Sequence, residues 1–194
     1  MVPLNVPNVL TVMRILLVPV LVVALLAKTG NGDLLAAIIF AVASVTDAVD
    51  GRLARSSNSV TTFGKLMDPI ADKLLIVAAL VVLVALGRLE AWVAMVIIAR
   101  EFAVTVLRAA AGAQQGLVIP ASSFGKVKTV AQVLMVMALI AVDERPVWVT
   151  VLVYVTVAVT VLSGLDYFFG LRRRVAEAAA ARSATDATAP PAES

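Results

Sequence analysis

The sequence contains six uncharged apolar runs, and charged residues cluster at their ends. The runs cover residues 15–27, 34–46, 74–87, 91–99, 129–142 and 146–165. The chain as a whole is 61% apolar and has a mean hydropathy of +1.01, far above the usual range for a soluble domain of this length. Such a composition indicates a protein of the lipid bilayer.

Only the last run has the roughly 20 residues that a membrane-spanning helix needs. The other five reach that length only if each helix continues through charged residues at one end, so those charges would lie inside the helices. The short connectors at residues 28–33, 88–90 and 143–145 require consecutive helices to alternate in direction. All the charged extensions then fall at one membrane face, which favours a shared polar cavity over scattered structural charges.

Basic residues are unevenly divided between the two faces of this predicted bundle. The cavity face carries Arg14, Arg52, Arg55, Lys65, Lys73, Arg100, Arg108, Lys126, Lys128 and residues 172–174, whereas the opposite face carries Lys28, Arg88 and Arg145. By the positive-inside rule, the cavity and both termini are cytoplasmic. The sequence therefore predicts an all-α, polytopic inner-membrane protein with six transmembrane helices in an up-down bundle over residues 1–174. The composition of residues 175–194 predicts a frayed helix end and a disordered cytoplasmic tail.

Acidic residues recur at helical spacing within residues 47–72. This segment reads D-x-x-D-G-x-x-A-R, then eight residues, then G-x-x-x-D-x-x-x-D. Asp47 and Asp50 share one face of the second predicted helix, and Asp68 and Asp72 share one face of the third. Each acidic pair is accompanied by a glycine, which lets a neighbouring backbone or a flat ligand come close.

Four carboxylates that converge near a membrane boundary repel one another unless cations intervene. The chain has no histidine and no cysteine, so any metal must take oxygen ligands, which favours Mg²⁺, Mn²⁺ or Ca²⁺. Two divalent ions would neutralise the four charges, in the arrangement that assists phosphoryl displacement. The simpler alternative is that these acids pair with their basic neighbours Arg52, Arg55, Lys65 and Lys73. Ion pairing alone does not require two glycines and two aligned acidic faces.

The motif in residues 47–72 resembles the signature of the CDP-alcohol phosphotransferases at all eight fixed positions. The resemblance implies a metal-dependent integral-membrane enzyme, usually a homodimer, that moves a phosphatidyl or related group from a CDP-linked donor to an alcohol and releases CMP. It implies two Mg²⁺ or Mn²⁺ ions, with Asp47, Asp50 and Asp68 as metal ligands. Asp72, grouped with these ligands, is implied to be the catalytic base that takes the proton of the acceptor hydroxyl.

The resemblance also implies a set of contacts to the CDP-linked donor. Within the signature these positions are Gly51, Ala54, Arg55 and Gly64, where the small residues leave room for the nucleotide and the arginine pairs with a phosphate. The opening segment also looks like that of the family. Asn8, Thr11 and Arg14 are expected near the nucleotide or its diphosphate, although Asn8 has the alternative role of capping the first helix.

A second polar set is expected where the fourth helix ends and the fifth begins. Its members are Arg100, Glu101, Thr105, Arg108, Lys126 and Lys128. A basic pocket there would take an anion, so an acceptor with its own phosphate fits better than a cationic one such as choline. Arg108, Lys126 and Lys128 are expected to bind that phosphate. The alternative is that these side chains snorkel to the lipid headgroups.

Shorter motifs resemble the branch of the family that makes phosphatidylglycerophosphate. They are N-V-P-N-x-L-T-x-x-R at residues 5–14, D-P-I-A-D-K-L at 68–74, A-R-E-F at 99–102 and G-K-V-K-T at 125–129. This resemblance implies CDP-diacylglycerol as the donor and sn-glycerol 3-phosphate as the acceptor. The alternatives are a phosphatidylinositol-phosphate synthase or a cardiolipin synthase of the same fold and, outside the family, a divalent-cation transporter.

Overall fold

The computed structural model describes residues 6–27, 31–56, 62–115, 123–142 and 144–188, with side chains described for 12–27, 31–46, 73–112, 125–142 and 144–173. These residues form six α-helices and no strand, which confirms the predicted all-α class. The helices are α1 (Val6–Leu26), α2 (Gly32–Ser56), α3 (Thr62–Ala85), α4 (Ala91–Gln115), α5 (Ser123–Ala141) and α6 (Val147–Thr188).

The helices α2 and α3 continue through the acidic segment instead of stopping where the apolar runs stop. The helix α2 ends at Ser56, ten residues beyond Thr46, and α3 begins at Thr62, twelve residues before Leu74. A helix pairs its own backbone polar groups whether or not its side chains are charged. The prediction that the acidic residues lie inside helices is therefore confirmed for the backbone.

A glycine turn reverses the chain between α3 and α4. Gly87 has a φ of 71°, a left-handed conformation that costs glycine little because it has no Cβ. The Gly87 amide donates to the carbonyl of Val84 at 3.0 Å, and the Arg88 amide donates to the carbonyl of Leu83 at 2.9 Å. This pair of bonds is a Schellman cap. It closes α3 and lets α4 start only six residues after α3 ends.

Two ion pairs join the connections at one end of the bundle, which we call the Arg88 end. Arg88 donates two hydrogen bonds to the Asp33 carboxylate, at 3.0 and 2.8 Å, and a third to the carbonyl of Ile140 at 3.2 Å. Arg145 donates to Glu90 at 2.5 Å. These contacts bring together the starts of α2, α4 and α6 with the ends of α3 and α5. Consecutive helices from α2 to α6 are therefore antiparallel, as expected.

The opposite end of the bundle, where α2 stops and α3 begins, is called the aspartate end here. Between the two ends, α3 packs against α1, α4 and α5, and α6 packs against α4 and α5. Large side chains that are almost fully buried fill this core, among them Phe40, Leu80, Ile97, Met135 and Val153. In a bilayer such packing stabilises the bundle through van der Waals contacts between side chains, because lipid tails are as apolar as the core.

The outer surface of the helices is also apolar. Large apolar side chains on several helices are more than half exposed; examples are Val23, Leu34, Met95 (69% exposed) and Val106. A soluble monomer rarely exposes so much contiguous apolar surface. Among the described residues, one stretch is long and apolar enough by itself to cross a membrane, namely Val147–Arg173 in α6. Shorter apolar helical stretches occur at Val12–Leu26, Gly32–Thr46 and Lys73–Ala85.

The last helix is much longer than its apolar part. The 42 residues of α6 extend about 63 Å at the usual helical rise. Its backbone remains helical fourteen residues past Arg174, and residues 189–194 lie outside the described residues. The boundary predicted at residue 174, with a frayed end and a tail beyond it, stays a prediction.

Candidate functional site

The two halves of the aspartate signature lie on two antiparallel helices, α2 and α3, which five residues of chain join at the aspartate end. Asp50 is six residues before the end of α2, and Asp68 is six residues after the start of α3, so each is about 9 Å from its helix terminus. Asp47 and Asp72 are nine and ten residues from the same termini, or about 14–15 Å. The backbone therefore places Asp50 level with Asp68, and Asp47 level with Asp72.

The side chains of the signature lie outside the described side chains, so the structure places these residues by backbone alone. Helix α2 carries Asp47, Asp50, Gly51, Ala54 and Arg55, and α3 carries Gly64, Asp68 and Asp72. Asn8 and Thr11 lie in the first two turns of α1, again with side chains outside the described set. The ligand, base and donor-binding roles of all these residues remain predictions.

Arg14 is the one predicted donor-binding residue whose side chain is described. It is only 6% exposed, on a helix that packs against both α2 and α3. Arg14 is twelve residues before the end of α1, and Asp47 is fifteen residues after the start of α2. Because a short connector joins these helices, Arg14 and Asp47 lie at similar distances from it along their helices, about 18 and 22 Å. A buried guanidinium is thus held near the level of the acidic positions.

A buried carboxylate gathers polar groups where α4, α5 and α6 meet. Lys128 donates to Glu101 Oε1 and pairs with it. Arg100 and Gln132 each donate to the same oxygen at 3.4 Å. Arg100 also donates to the Ser163 hydroxyl at 3.0 Å, and Lys73 is close enough to act electrostatically on Lys128. The two cations and one anion of the Arg100, Glu101 and Lys128 cluster leave one positive charge in excess.

The three residues expected to bind the acceptor phosphate do not share one environment. Lys128 is buried and engaged by Glu101, whereas Lys126 and Arg108 are exposed. Lys126 and Lys128 are two positions apart, and residues at that spacing do not face the same side of a helix. Their spacing places them at a similar depth along α5 but on different sides of it. A joint role for the three residues stays a prediction.

Arg108 instead contacts an aromatic residue that the sequence analysis did not select. Its guanidinium carbon lies over the ring of Tyr167, 5.6 Å from the centroid, within the range of a cation–π contact. Tyr167 is 8% exposed. Among the described residues, its hydroxyl is buried without a hydrogen-bond partner.

Tyr167 belongs to a buried polar stripe along α6. The stripe consists of Thr156, Thr160, Ser163 and Tyr167, which follow one another at helical spacing on one face. The Thr156 hydroxyl donates to the carbonyl of Leu152 at 2.8 Å and, across the helix contact, to that of Ala131 at 3.3 Å. A periodic set of hydroxyls in an otherwise apolar run was the signal in the sequence that would have identified this face.

Next to this stripe, Gly164 makes room for Arg100. A Cβ added at Gly164 would lie 3.3 Å from Arg100 Cγ, so the absence of a side chain lets the arginine stem pass close to α6. Arg100 Nε and the Thr160 hydroxyl are also buried without partners among the described residues. The contact between α4 and α6 therefore combines hydrogen-bonded polar groups with buried polar groups that have no partner among the described residues.

Comparison with known proteins gives a consistent result over most of the chain. A family model described as CDP-alcohol phosphatidyltransferase matches residues 4–162. The chain is 43% identical over 182 residues to the CDP-diacylglycerol–glycerol-3-phosphate 3-phosphatidyltransferase of Bacillus subtilis, covering 84% of this chain and 93% of that protein. It is 42% identical over 168 residues to a probable phosphatidylglycerophosphate synthase of Mycobacterium tuberculosis, covering 84% and 79%. A Salmonella choleraesuis protein with the same name as the Bacillus protein is 37% identical over 179 residues, covering 87% and 95%.

Proposed function

The chain belongs to the CDP-alcohol phosphatidyltransferase family, and from this premise we propose that it transfers a phosphatidyl group from CDP-diacylglycerol to sn-glycerol 3-phosphate. The products are phosphatidylglycerophosphate and CMP. The main structural support is the matched height of the acidic positions on α2 and α3. The choice of acceptor is supported by the names of the similar proteins from Bacillus and Salmonella.

The side chains available to bind metal at the aspartate end fit hard divalent cations. Four carboxylates are available at the aspartate end, and the chain has no imidazole or thiolate to offer, which suits Mg²⁺ or Mn²⁺. No group of three or more metal-binding side chains occurs elsewhere among the side chains that the structure describes. Asp47, Asp50 and Asp68 would be the principal ligands of two ions, with Asp72 grouped beside them. When bound, these ions neutralise the charge of the donor diphosphate and of the departing CMP.

The protein groups in this proposal bind the donor and move one proton. Arg14 and Arg55 pair with the diphosphate, while Asn8 and Thr11 contact the nucleotide. Small residues at Gly51, Ala54 and Gly64 leave space for the nucleotide. This arrangement holds the donor phosphorus in position for attack from the acceptor side.

The transfer itself is a direct displacement. Asp72 accepts the proton of a glycerol hydroxyl, and the resulting oxygen forms a bond to the phosphorus that bears the diacylglycerol. The bond from this phosphorus to the CMP oxygen breaks, so CMP leaves with the electron pair. Arg108, Lys126 and Lys128 hold the acceptor through its phosphate, and the excess positive charge near Lys128 favours an anion there.

We also propose that six helices span the inner membrane, with the aspartate end and both termini in the cytoplasm and a homodimer as the assembly. The exposed apolar side chains support membrane insertion. The uneven division of basic residues supports the orientation.

The test is an acceptor panel with the purified chain in lipid. CMP release from CDP-diacylglycerol is measured with sn-glycerol 3-phosphate, inositol phosphate or phosphatidylglycerol as the acceptor, with and without Mg²⁺. We expect metal-dependent CMP release with glycerol 3-phosphate. Turnover only with inositol phosphate or with phosphatidylglycerol would assign one of the two related synthases instead. Metal flux into sealed vesicles without CMP release would assign a cation transporter.

A further inference from the structure

We propose that Tyr167 on α6 is a specificity-determining residue whose hydroxyl donates a hydrogen bond to the phosphate of the acceptor beside Arg108. The inference rests on the proposed function and extends it to a helix that lies outside the aspartate signature. Neither the signature nor the sequence motifs on α4 and α5 include this residue.

The first support is the hydroxyl of Tyr167, which is buried without a hydrogen-bond partner among the described residues. A buried polar group without a partner costs about 1–3 kcal/mol, and buried tyrosine hydroxyls usually find a hydrogen-bond partner. Phenylalanine would fill the same space without that cost, and it is the residue at the next two positions, Phe168 and Phe169. A hydrogen-bond acceptor that arrives with the substrate would explain why a tyrosine and not a phenylalanine occupies this buried position.

The second support is the guanidinium above the ring. Arg108 is exposed, and its guanidinium carbon lies 5.6 Å from the centroid of the Tyr167 ring, so the arginine covers one face of the buried ring. An anion that draws the guanidinium toward itself uncovers the hydroxyl. The phosphate then has a charged donor and a neutral donor at neighbouring positions, an arrangement that selects a phosphate over an uncharged alcohol.

The third support is the height of this pair along the bundle. Asp68 is seventeen residues before the end of α3, and Arg108 is seventeen residues after the start of α4. Because the Gly87 turn joins these antiparallel helices, both residues are about 26 Å from the turn. Arg108 and Tyr167 therefore lie level with the acidic positions, but on α4 and α6, away from the α2 positions expected to hold the nucleotide.

The substitution Tyr167→Phe tests the proposal because it removes one oxygen and keeps the ring under Arg108. The matched control is Tyr154→Phe, which makes the same change at the only other tyrosine, an exposed residue nearer the start of α6 that stacks on Trp92. The full chain in lipid is assayed with glycerol 3-phosphate varied at saturating CDP-diacylglycerol, and then with CDP-diacylglycerol varied at saturating glycerol 3-phosphate. We expect the KM for glycerol 3-phosphate to rise roughly tenfold to a hundredfold in Tyr167→Phe, with the KM for CDP-diacylglycerol unchanged. Tyr154→Phe should match the wild type.

Thermal unfolding without substrate gives a second readout. Loss of an unsatisfied buried hydroxyl should leave the Tm of Tyr167→Phe unchanged or raise it by about 2–4 °C, whereas loss of a hydroxyl with a structural partner would lower it. A lowered Tm, or an unchanged KM for glycerol 3-phosphate in an active enzyme, would overturn the inference and leave the proposed function standing. A wild-type chain that is inactive with glycerol 3-phosphate but active with another acceptor would instead refute the proposed function.

Discussion

Lys128 on α5 donates to the carboxylate of Glu101 on α4, and both side chains are buried among apolar helices. A charge in such surroundings is stabilised by its ion-pair partner, so loss of one charged side chain leaves the other charge buried and unpaired. Arg100 and Gln132 donate to the same Glu101 oxygen, so this one carboxylate accepts hydrogen bonds from three side chains. The pair therefore couples the stability of the contact between α4 and α5 to the position of a predicted acceptor-binding lysine.

The first prediction concerns that carboxylate. Glu101→Gln should lower the free energy of unfolding by about 3–5 kcal/mol, because the charge of Lys128 is left uncompensated. The change should be measurable as a lower Tm in detergent or lipid. The matched control is Glu144→Gln, at an exposed glutamate beyond the end of α5, which should leave Tm within error. Equal Tm values for both variants would contradict a structural role for the ion pair.

The second prediction separates the roles of two aspartates. Asp72→Asn should retain binding of Mn²⁺ and of CDP while kcat falls about 10²–10⁴-fold, since a general base contributes on that scale. Asp47→Asn should instead lose Mn²⁺ affinity, because an amide replaces a charged ligand. Titration of Mn²⁺ by electron paramagnetic resonance, alongside CMP release, distinguishes the two outcomes. Equal losses of metal affinity would remove the assignment of Asp72 as the base.

The third prediction concerns the Arg88 end. Arg88→Ala should destabilise the bundle by about 1.5–3 kcal/mol, because the variant loses charged hydrogen bonds to Asp33. The kcat and KM at temperatures below unfolding should not change, because the substitution is at the end of the bundle opposite the aspartates. Arg88→Lys keeps the charge but not the two-pronged geometry, so its Tm should fall between those of Arg88→Ala and the wild type. A large loss of kcat in folded Arg88→Ala would show that this end takes part in turnover.

The fourth prediction concerns acid stability. The hydrogen bond from Arg145 holds the pKa of Glu90 below its ordinary value, against the opposing effect of partial burial. A carboxyl group whose pKa is lowered in the folded protein stabilises it above the ordinary pKa of glutamate, and this contribution disappears as pH falls through the lowered pKa. The Tm difference between wild type and Glu90→Gln should therefore be present at neutral pH and vanish in acid. Because this pair is partly exposed, we expect only about 0.2–1 kcal/mol. A difference that grows in acid would contradict the assigned pairing.

The sequence was sufficient to predict six helices, because each apolar run is bounded by charges or turn residues and the connectors are short. It also predicted that α2 and α3 continue through their acidic positions. The end of α6 was harder to predict, since the alanine-rich segment after Arg174 has high helix propensity but no apolar stripe. The backbone there is helical to Thr188, a length that composition alone did not indicate.

The candidate site was predicted less completely than the fold. Residues that carry a motif or a charge were found, whereas Tyr167 was missed because the periodic series of hydroxyls that it ends, Thr156, Thr160 and Ser163, carries neither. Its relation to Arg108 depends on how α4 packs on α6. Which side chains form an ion pair, such as Glu101 with Lys128, likewise depends on the direction in which each side chain points. The spacing of residues along one helix does not contain that information.

The bridge between Arg88 and Asp33 reinforces the alignment of the acidic positions from the far end of the bundle. Helices α2 and α3 are tied at both extremities, by five residues of chain at one and by this bridge at the other. A slip of one turn would displace one helix by about 5.4 Å, and the packing of α2 and α3 on α1 opposes it together with the bridge. Asp33 is about 21 Å along α2 from Asp47, so loss of the bridge should lower the melting temperature of the bundle while the packed core still keeps the acidic positions level.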